Sequence, residues 1–400
     1  MTIAIIGGGA AGYFLAIAIK ELNQSHSVTI YESGSKPLRK VKVSGGGRCN
    51  ISNTFNNVKD LREVYPRGHK LLKRLFKSFS PADAQQWWEK HGVKLVAQED
   101  ECIFPVSQNS QTVIDSLTLY CKRYGVETIF DSKIESIMEL KSKYDAVVLA
   151  IGGITKPSKI YEELESLGHE MSTPIPSLFT FSIEDESLRS LTGLVIEPAE
   201  MKIPGTKFRS SDALLLTHWG VSGPATLKLS SLSARFLAEN DYKAALSINW
   251  LNKTLPETEK ELESFINNNR KKEITTYPFP QLQNRLWQHL LRRSFGSGKE
   301  LTTKDGYVLR YLDLSKKQIN KLIETLSNDT YQIAGKYKHK DEFVTCGGVS
   351  LSSVNQNTLE SRHLPGLYFA GEVLDIDGVT GGFNFQACWT TAMTVAKALA

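Results

Sequence analysis

The sequence predicts an α/β protein in which the two ends of the chain build one domain and the middle forms an insert. The chain opens with a strand, a helix and a second strand within about 30 residues, the size of a β-α-β unit. A buried-strand pattern returns at 144–151 and again at 366–372. Between these stretches the pattern changes to short β-like runs and then to helices. At ~100–200 residues per domain, the 400 residues fit two or three units.

The composition is that of an ordinary globular protein, with 41% hydrophobic and 23% charged residues. A chain of this length can bury a large core without disulfides or structural metals. The net charge of +5 is too small to indicate a nucleic-acid-binding protein on its own. The five cysteines form no Cys-x-x-Cys pair, which disfavours a disulfide framework or a zinc site and fits a reducing cytoplasm.

The N-terminal residues 2–19 are apolar but are not expected to form a signal peptide. No basic residues precede them, and four glycines interrupt the run. No uninterrupted apolar stretch reaches the ~20 residues that span a bilayer. We therefore expect a cytoplasmic protein that does not cross a membrane.

The outer domain is predicted to alternate strands and helices. The apolar run at 3–6 ends in glycines and indicates a buried strand. The near-continuous apolar run at 144–151 is typical of a buried parallel strand. The other predicted elements are a helix at 10–22, a strand at 28–31, a Gly-rich basic loop at 39–53, a helix with Leu71, Leu72, Leu75, Phe76 and Phe79 on one face, a helix from the N-cap Ser80 to Gly92, a helix at 111–124, a strand at 126–130 and a terminal helix at 384–400.

The insert begins near 174–176, where Pro residues mark a change of pattern. Short β-like runs lie at 179–183 and 213–217, and a helix at 225–237 follows them. The stretch 257–328 is predicted to be helical. Its last helix carries a capping box of Ser315 and Gln318 and a buried stripe at helical spacing.

The motif with the clearest chemistry is Gly7-x-Gly9-x-x-Gly12, which follows a strand and opens a helix. The first glycine allows the tight turn, the second lets a pyrophosphate approach, and the third lets helix and strand pack closely. The helix N-terminus offers unpaired N–H groups and about +0.5 of partial charge to phosphates. Glu32 ends the second strand about 20 residues later, where an acid binds a ribose hydroxyl. The sequence therefore predicts a dinucleotide site, without choosing between FAD and NAD.

Other segments resemble the BaiN/YhiN-like family of flavoproteins, whose members are described as NAD(P)/FAD-dependent oxidoreductases or aminoacetone-oxidase-like enzymes. The likeness covers nearly the whole chain. The segments that carry it are 44–50 (SGGGRCN), 150–153 (AIGG), 217–224 (THWGVSGP), 346–350 (CGGVS), 371–375 (GEVLD) and 381–384 (GGFN).

The resemblance implies a glutathione-reductase-like, Rossmann-type FAD-binding domain at 1–175 and 346–400, with an insert at 176–345. A β-barrel-like unit would occupy 176–255 and 329–345, and a helical unit 256–328. The implied cofactor is FAD, and the implied activity is an oxidoreductase that transfers a hydride between flavin and a small organic substrate.

The resemblance also assigns contacts along an extended FAD. Glu32 would hold the adenosine ribose, and the backbone of Ile134 would meet the adenine. The residues from Gly382 would lie at a helix N-terminus, which stabilises the negative charge of reduced flavin. Gly371 and Glu372 would meet the ribityl chain, although many relatives outside this family have Asp where this chain has Glu372. The implied cofactor-binding residues are Gly7, Gly9, Ala11, Gly12, Glu32, Lys40, Gly46, Arg48, Asn50, Ile134, Gly371, Glu372, Gly382, Phe383 and Asn384.

Four side chains admit two interpretations each. Arg48 fits a phosphate or flavin contact better than a surface salt bridge, because the glycines around it permit close approach. Cys49 fits a small residue packed against the cofactor better than a redox thiol. His218 could touch substrate, although a lone histidine is more often structural. Trp219 could line a substrate pocket or pack in the core. The sequence identifies no catalytic residue and no metal site.

The redox partner and the substrate stay open. There is no second Gly-x-Gly-x-x-Gly, so no dedicated NAD(P)H domain is expected, and NAD(P)H and oxygen both stay possible. The resemblance suggests either an oxidase of small amines such as aminoacetone or a reductase of a conjugated or steroid-like substrate. A non-catalytic flavin sensor is a third reading.

A nucleic-acid-directed flavoprotein is the main alternative. Basic residues with interleaved aromatics can bind RNA, although a solvated helical face is the commoner origin of such a pattern. The basic residues are Arg285, Arg292, Arg293, Lys299, Lys304, Arg310, Lys316, Lys317 and Lys321, and the aromatics are Trp287, Tyr307 and Tyr311.

Overall fold

The computed structural model describes residues 1–154, 158–296, 301–303, 306–337 and 344–400. The chain forms two compact units, one of Met1–Pro176 with Phe343–Ala400 and the other of Ser177–Glu342. Lys299 and Lys304 lie outside the described residues.

The strands are numbered along the chain. They are β1 (Thr2–Ile6), β2 (Ser27–Tyr31), β3 (Ser52–Asn53), β4 (Leu95–Ala97), β5 (Cys102–Pro105), β6 (Glu127–Ile129), β7 (Ala146–Leu149), β8 (Met171–Ser177), β9 (Phe181–Ile183), β10 (Val195–Lys202), β11 (Arg209–Thr217), β12 (Gly220–Ser222), β13 (Ala244–Asn249), β14 (Asp329–Lys336), β15 (Val344–Val349) and β16 (Leu367–Phe369).

The helices are numbered in the same way. They are α1 (Ala10–Leu22), α2 (Arg39–Val43), α3 (Leu61–Val64), α4 (His69–Leu75), α5 (Pro81–Lys90), α6 (Ser110–Arg123), α7 (Ile137–Lys141), α8 (Lys159–Ser166), α9 (Glu186–Arg189), α10 (Pro224–Leu232), α11 (Ala234–Glu239), α12 (Leu255–Asn268), α13 (Asn284–Phe295), α14 (Lys316–Asn328) and α15 (Phe383–Leu399).

The first unit is built on a five-stranded parallel sheet in the order β16-β7-β1-β2-β6. The central strand β1 is buried on both faces, which explains its continuous apolar run. Helix α1 packs against the C-terminal helix α15 through Phe14, whose ring centroid lies 4.2 Å from that of Trp87 and 5.3 Å from that of Trp389. The first and last helices of the unit therefore share one core.

The second unit contains a closed barrel in the order β10-β11-β12-β9-β14-β13. Its interior is filled by fully buried aliphatic side chains such as Leu214, Leu216 and Ile248. Helices α12, α13 and α14 belong to the same unit, and the capping box forms as expected, with Gln318 N donating to Ser315 Oγ at 3.3 Å. The parallel sheet, the barrel and the inserted helices confirm the predicted fold class.

Three elements differ from the prediction. The loop expected at 39–53 contains helix α2, because the apolar Val41 is buried there. The helix expected at 225–237 is two helices, since Ser233 leaves helical geometry and its hydroxyl donates to Leu229 O at 2.6 Å. The stretch expected to be helical at 257–328 is interrupted by non-helical chain between α12 and α13.

A buried histidine gives the second unit an acid-sensitive site. His289 is 3% exposed, and its Nε2 lies 3.0 Å from the hydroxyl of Tyr331. Burial and the nearby charge of Arg293 lower the pKa of His289 to about 4. A histidine whose pKa is lower in the folded state stabilises the fold at neutral pH, and this stability is lost as the pH falls from about 6.5 towards 4.

We therefore expect the free energy of unfolding to decrease over that range, with His289 contributing roughly 2–3 kcal/mol of the change. Chemical denaturation at several pH values checks this. In the variant His289→Gln the slope should flatten between pH 6.5 and 4. An unchanged slope in the variant would contradict the assignment.

Among the described residues, no helix is long and apolar enough to cross a membrane. Within the same part of the chain, no group of three or more His, Cys, Asp or Glu side chains is arranged to hold a metal ion.

Candidate functional site

The carboxyl ends of β1, β7 and β16 meet at one edge of the parallel sheet, and glycines allow the chain to close around it. Gly7 has φ +114°, and a Cβ there would lie 2.3 Å from Ala150 O. A Cβ at Gly12 would lie 2.0 Å from Gly7 O. One at Gly371 would lie 2.9 Å from the Cβ of Ala11. These glycines are required by packing of the protein itself.

Gly9 differs from the glycines around it. It is the N-cap of α1, which has no side-chain cap and no acidic residue in its first turn. A Cβ at Gly9 would meet nothing within 4 Å. The first N–H groups of a helix have no intrahelical acceptor and carry partial positive charge. The start of α1 thus combines free space with the donors that an anion needs.

Glu32 braces the glycine-rich turn. Its Oε2 accepts from Gly8 N at 2.8 Å, and its Oε1 accepts from Gly34 N at 2.7 Å. A third donor, the hydroxyl of the next residue, lies 3.4 Å from Oε1. A carboxylate has about four acceptor positions, so one stays available for a sugar hydroxyl. Ser132 N donates to Glu32 O at 2.9 Å, which brings the segment leading to the half-buried Ile134 beside it.

Lys40 and Glu372 meet, although 332 residues separate them. The Nζ of Lys40 lies 2.8 Å from Glu372 Oε2, and Thr345 N donates to Glu372 Oε1 at 2.8 Å. The lysine side chain is 61% exposed, so the pair adds little to stability. Its effect is to hold the α2 segment next to the turn that follows β16.

The glycine-rich loop presents Arg48 to solvent. Its guanidinium lies 4.3 Å from the ring centroid of Phe104, and its Nε donates to Gly45 O at 3.3 Å. No acidic side chain pairs with it in the part of the chain that the structure describes. Gly46 has φ +67°, and a Cβ there would meet nothing within 4 Å. The loop therefore offers a cation and free space together.

Cys49 is fully buried, and burial raises the pKa of its thiol to about 12. A thiol with so high a pKa is not the thiolate that redox chemistry requires. The packed interpretation of Cys49 is therefore the one that its surroundings favour.

The loop that leads into α15 is held from two sides. With its side-chain amide oriented to satisfy both neighbours, Asn50 donates to Ser52 O at 2.8 Å and accepts from Gly382 N at 3.2 Å. The side-chain amide of Asn384 donates to Gly378 O and accepts from Gly378 N, both at 2.8 Å. The amide of Asn384 thus closes the loop.

Phe383 is the first residue of α15 and is 5% exposed. Its carbonyl accepts from the hydroxyl of Tyr65 at 2.8 Å, and its ring lies 5.2 Å from that of Phe55. The side chain of Phe383 is therefore part of the core, and only its backbone lies at the helix N-terminus.

A buried ion pair fixes the same loop and was missed from the sequence. The guanidinium of Arg67 binds both carboxylate oxygens of Asp377. The Asp377 side chain is fully buried, and the Arg67 side chain is 14% exposed. A Cβ at the neighbouring Gly68 would lie 2.7 Å from Ile376 Cγ1, so the two segments are in close contact. No local sequence pattern indicates a pair separated by 310 residues.

In the second unit, His218 lies in the turn between β11 and β12 and is exposed. Trp219 stacks on Tyr337 with centroids 4.3 Å apart and an angle of 12°. The His218 ring stands edge-on to Trp219 at 4.6 Å. This half-exposed aromatic cluster is compatible with both interpretations of His218 and Trp219, which stay predictions.

The basic stretch of the insert is partly structural. Of the three aromatic residues that lie between the basic residues in the sequence, Trp287 and Tyr311 are buried and Tyr307 is 73% exposed. Arg293 binds Asp329 at 2.7 Å and Asp185 at 3.2 Å and so holds α13 to the barrel.

The family model described as the HI0933-like protein Rossmann domain matches residues 1–398. The chain belongs to the HI0933-like family. This result confirms the resemblance found in the sequence, and the protein is an FAD-dependent oxidoreductase. The residues present fit FAD, because the start of α1 offers uncapped N–H donors and a Cβ at Gly9 or Gly46 would meet nothing within 4 Å.

Curated relatives match along nearly their full length. The ribosomal RNA dihydrouridine synthase of Escherichia coli is 29% identical over 99% of this chain and 97% of that protein, and the Haemophilus influenzae enzyme of the same name is 26% identical. A 3-dehydro-bile acid delta(4,6)-reductase of Clostridium scindens is 25% identical over 100% of this chain and 98% of that protein. A solved 3-ketosteroid delta1-dehydrogenase from Sterolibacterium denitrificans covers 100% of this chain and 99% of that chain, at 10% identity and a TM-score of 0.49.

Proposed function

We propose that this HI0933-like protein reduces a carbon–carbon double bond conjugated to a carbonyl group, and that its substrate is a uracil base in RNA. The observation that carries the first part is the chemistry shared by the names of its relatives. Dihydrouridine is uridine whose C5–C6 double bond, conjugated to the C4 carbonyl, has been reduced. A delta(4,6)-reductase acting on a 3-dehydro-bile acid reduces double bonds conjugated to the 3-oxo group.

The preference for RNA rests on two observations. The two dihydrouridine synthases match at 29% and 26% identity, and the bile acid reductase matches at 25%. Residues 270–321 also carry twelve basic and four acidic residues. A local excess of this size attracts a polyanion, whereas a steroid-like substrate has no need of it. A ribosomal RNA substrate would also favour a cytoplasmic enzyme.

In this proposal the chain's own residues bind and orient the cofactor. The N–H groups at the start of α1, including that of Ala11, would hold the pyrophosphate, and Arg48 would pair with a phosphate. The remaining acceptor position of Glu32 would receive a ribose hydroxyl. The N-terminus of α15 would place partial positive charge at the pyrimidine end of the flavin. Bound FAD supplies hydride chemistry, in which the substrate's β carbon receives a hydride and its α carbon a proton.

The decisive experiment is anaerobic reoxidation of the reduced holoprotein. The flavin is reduced with dithionite, so that the natural donor need not be known, and its absorbance is followed after adding an RNA stem-loop with uridine in the loop. We expect reoxidation together with a product that has gained two hydrogens by mass spectrometry. The matched control is the same RNA with dihydrouridine at those positions, which should leave the flavin reduced.

Other outcomes would redirect the proposal. Reoxidation by a conjugated steroid ketone and not by RNA would support the reductase activity and reject RNA as the substrate. Reduction of the flavin by a small amine, with peroxide formed in air, would support the oxidase reading instead. Bleaching of the oxidised flavin by NADPH or NADH in a parallel titration would identify the nicotinamide as the donor.

A further inference from the structure

We infer that one face of the second unit, named here the basic ledge and formed by Arg270, Lys271, Lys272 and Arg310, binds the phosphate backbone of the RNA substrate. The inference rests on the proposed function. It adds to that function a surface that would hold the phosphate backbone of the RNA, whereas the flavin acts on the base.

Backbone hydrogen bonds bring these cations together from two segments. Leu312 N donates to Arg270 O at 2.9 Å, and Tyr311 N donates to Lys272 O at 3.1 Å. A β-bridge pairs Glu273 with Arg310. The turn that follows α12 therefore runs antiparallel to 309–312, and the four basic residues lie along one short length of surface.

The cations of the ledge are exposed and available. All four side chains are exposed to solvent. Within the described ranges none of the four forms an ion pair. Two acidic residues lie among them, and one of these, Asp313, uses its carboxylate to accept from Arg310 N at 2.9 Å. The four cations and the two carboxylates together give the ledge a formal net charge of +2.

The charges of this unit are segregated along the chain. Helix α12, which ends two residues before Arg270, carries four acidic residues and one basic residue. The next stretch, 270–321, has the excess of eight positive charges given by its twelve basic and four acidic residues. A merely solvated surface usually mixes both signs, whereas a binding surface for a polyanion separates them.

The ledge also carries an aromatic side chain that suits a nucleic acid. Tyr277 is 40% exposed, and the Nζ of Lys272 lies 5.4 Å from its ring centroid. Phosphate-binding cations beside exposed aromatic rings are the pattern by which proteins hold single-stranded nucleic acid. RNA is therefore the partner that this surface fits.

The test compares two triple variants that remove equal charge. Arg270→Gln/Lys271→Gln/Lys272→Gln changes the ledge, and Lys122→Gln/Arg123→Gln/Lys143→Gln removes three exposed cations from the first unit. Each holoprotein is titrated into a fluorescein-labelled RNA stem-loop between about 50 and 200 mM salt. For the ledge variant we expect the slope of log K against log salt to fall by about 2, with a Kd roughly tenfold higher at low salt. The control variant should keep the wild-type slope.

Two results would overturn the inference. An equal loss in both variants would show that net charge alone matters, and an unchanged slope in the ledge variant would show that RNA binds elsewhere. FAD content and anaerobic reoxidation of wild-type protein by RNA are measured on the same samples. If the wild type reduces RNA while the ledge variant binds RNA normally, the ledge assignment fails and the proposed function stands. If the wild type neither binds nor reduces RNA, both fail.

Discussion

Replacing Gly12 with alanine is expected to yield a protein that purifies without FAD. A Cβ at this position would lie 2.0 Å from Gly7 O, closer than any Cβ contact can be, so α1 must move away from the turn that ends β1. Alanine gains about 1 kcal/mol of helix propensity over glycine. Overpacking costs about 1–3 kcal/mol and displaces backbone, so the loss outweighs the gain. We expect the dissociation constant for FAD to rise at least ~100-fold, because the phosphate-binding N–H groups are displaced.

The variant Gly9→Ala separates packing from ligand binding. Its added Cβ meets nothing within 4 Å, and the residue has an extended backbone with φ −89°. We expect the unfolding free energy of this apoprotein to match that of wild type while FAD affinity falls, since the methyl group takes up space that a pyrophosphate needs. FAD fluorescence quenching and denaturation of both apoproteins provide the measurements. A Gly12→Ala protein that retains stoichiometric FAD would refute the role given to this turn.

The parts of the structure that sequence could predict are those set by local chemistry. Helix α1 begins at Ala10 and ends at Leu22, as predicted. The glycine-rich turn marks its start, and the end of the helix-favouring apolar stretch marks its last residue. Helix α2 within the stretch 39–53 was missed, since five residues are too few to show a helical period in the sequence. The burial of Trp287 could have been predicted, because Leu286, Leu290 and Leu291 lie at helical spacing on the same face of α13.

In the candidate site, too, the local features could be predicted from the sequence and the long-range contacts could not. Gly7, Gly9, Gly12 and Glu32 come together as their spacing indicated, because they lie within one β-α-β unit. The contacts between distant segments were beyond local reasoning. The resemblance implied a cofactor contact for Asn50 and another for Gly382. That these two residues form a hydrogen bond with each other is visible only in the structure.

The long-range contact with the largest expected effect is the one between Arg67 and Asp377. Replacing Arg67 with methionine leaves a fully buried carboxylate without its guanidinium. Removing one partner of a buried ion pair costs about 3–5 kcal/mol, because the remaining charge stays in a poorly polarisable environment. We expect a loss of this size in the unfolding free energy, and weaker FAD binding, because the Asp377 segment leads directly into α15.

Two further variants show whether the effect comes from the buried charge. Arg62→Met removes the partner of Asp60 in a pair whose side chains are 72% and 40% exposed, and it should leave the unfolding free energy almost unchanged. The double variant Arg67→Met/Asp377→Leu should regain most of the stability lost by Arg67→Met, since apolar replacement of a whole buried pair is often neutral. If FAD affinity stays low in that stable double variant, the ion pair positions the loop before α15 as well as stabilising it. If Arg67→Met costs no more than Arg62→Met, the pair has neither role.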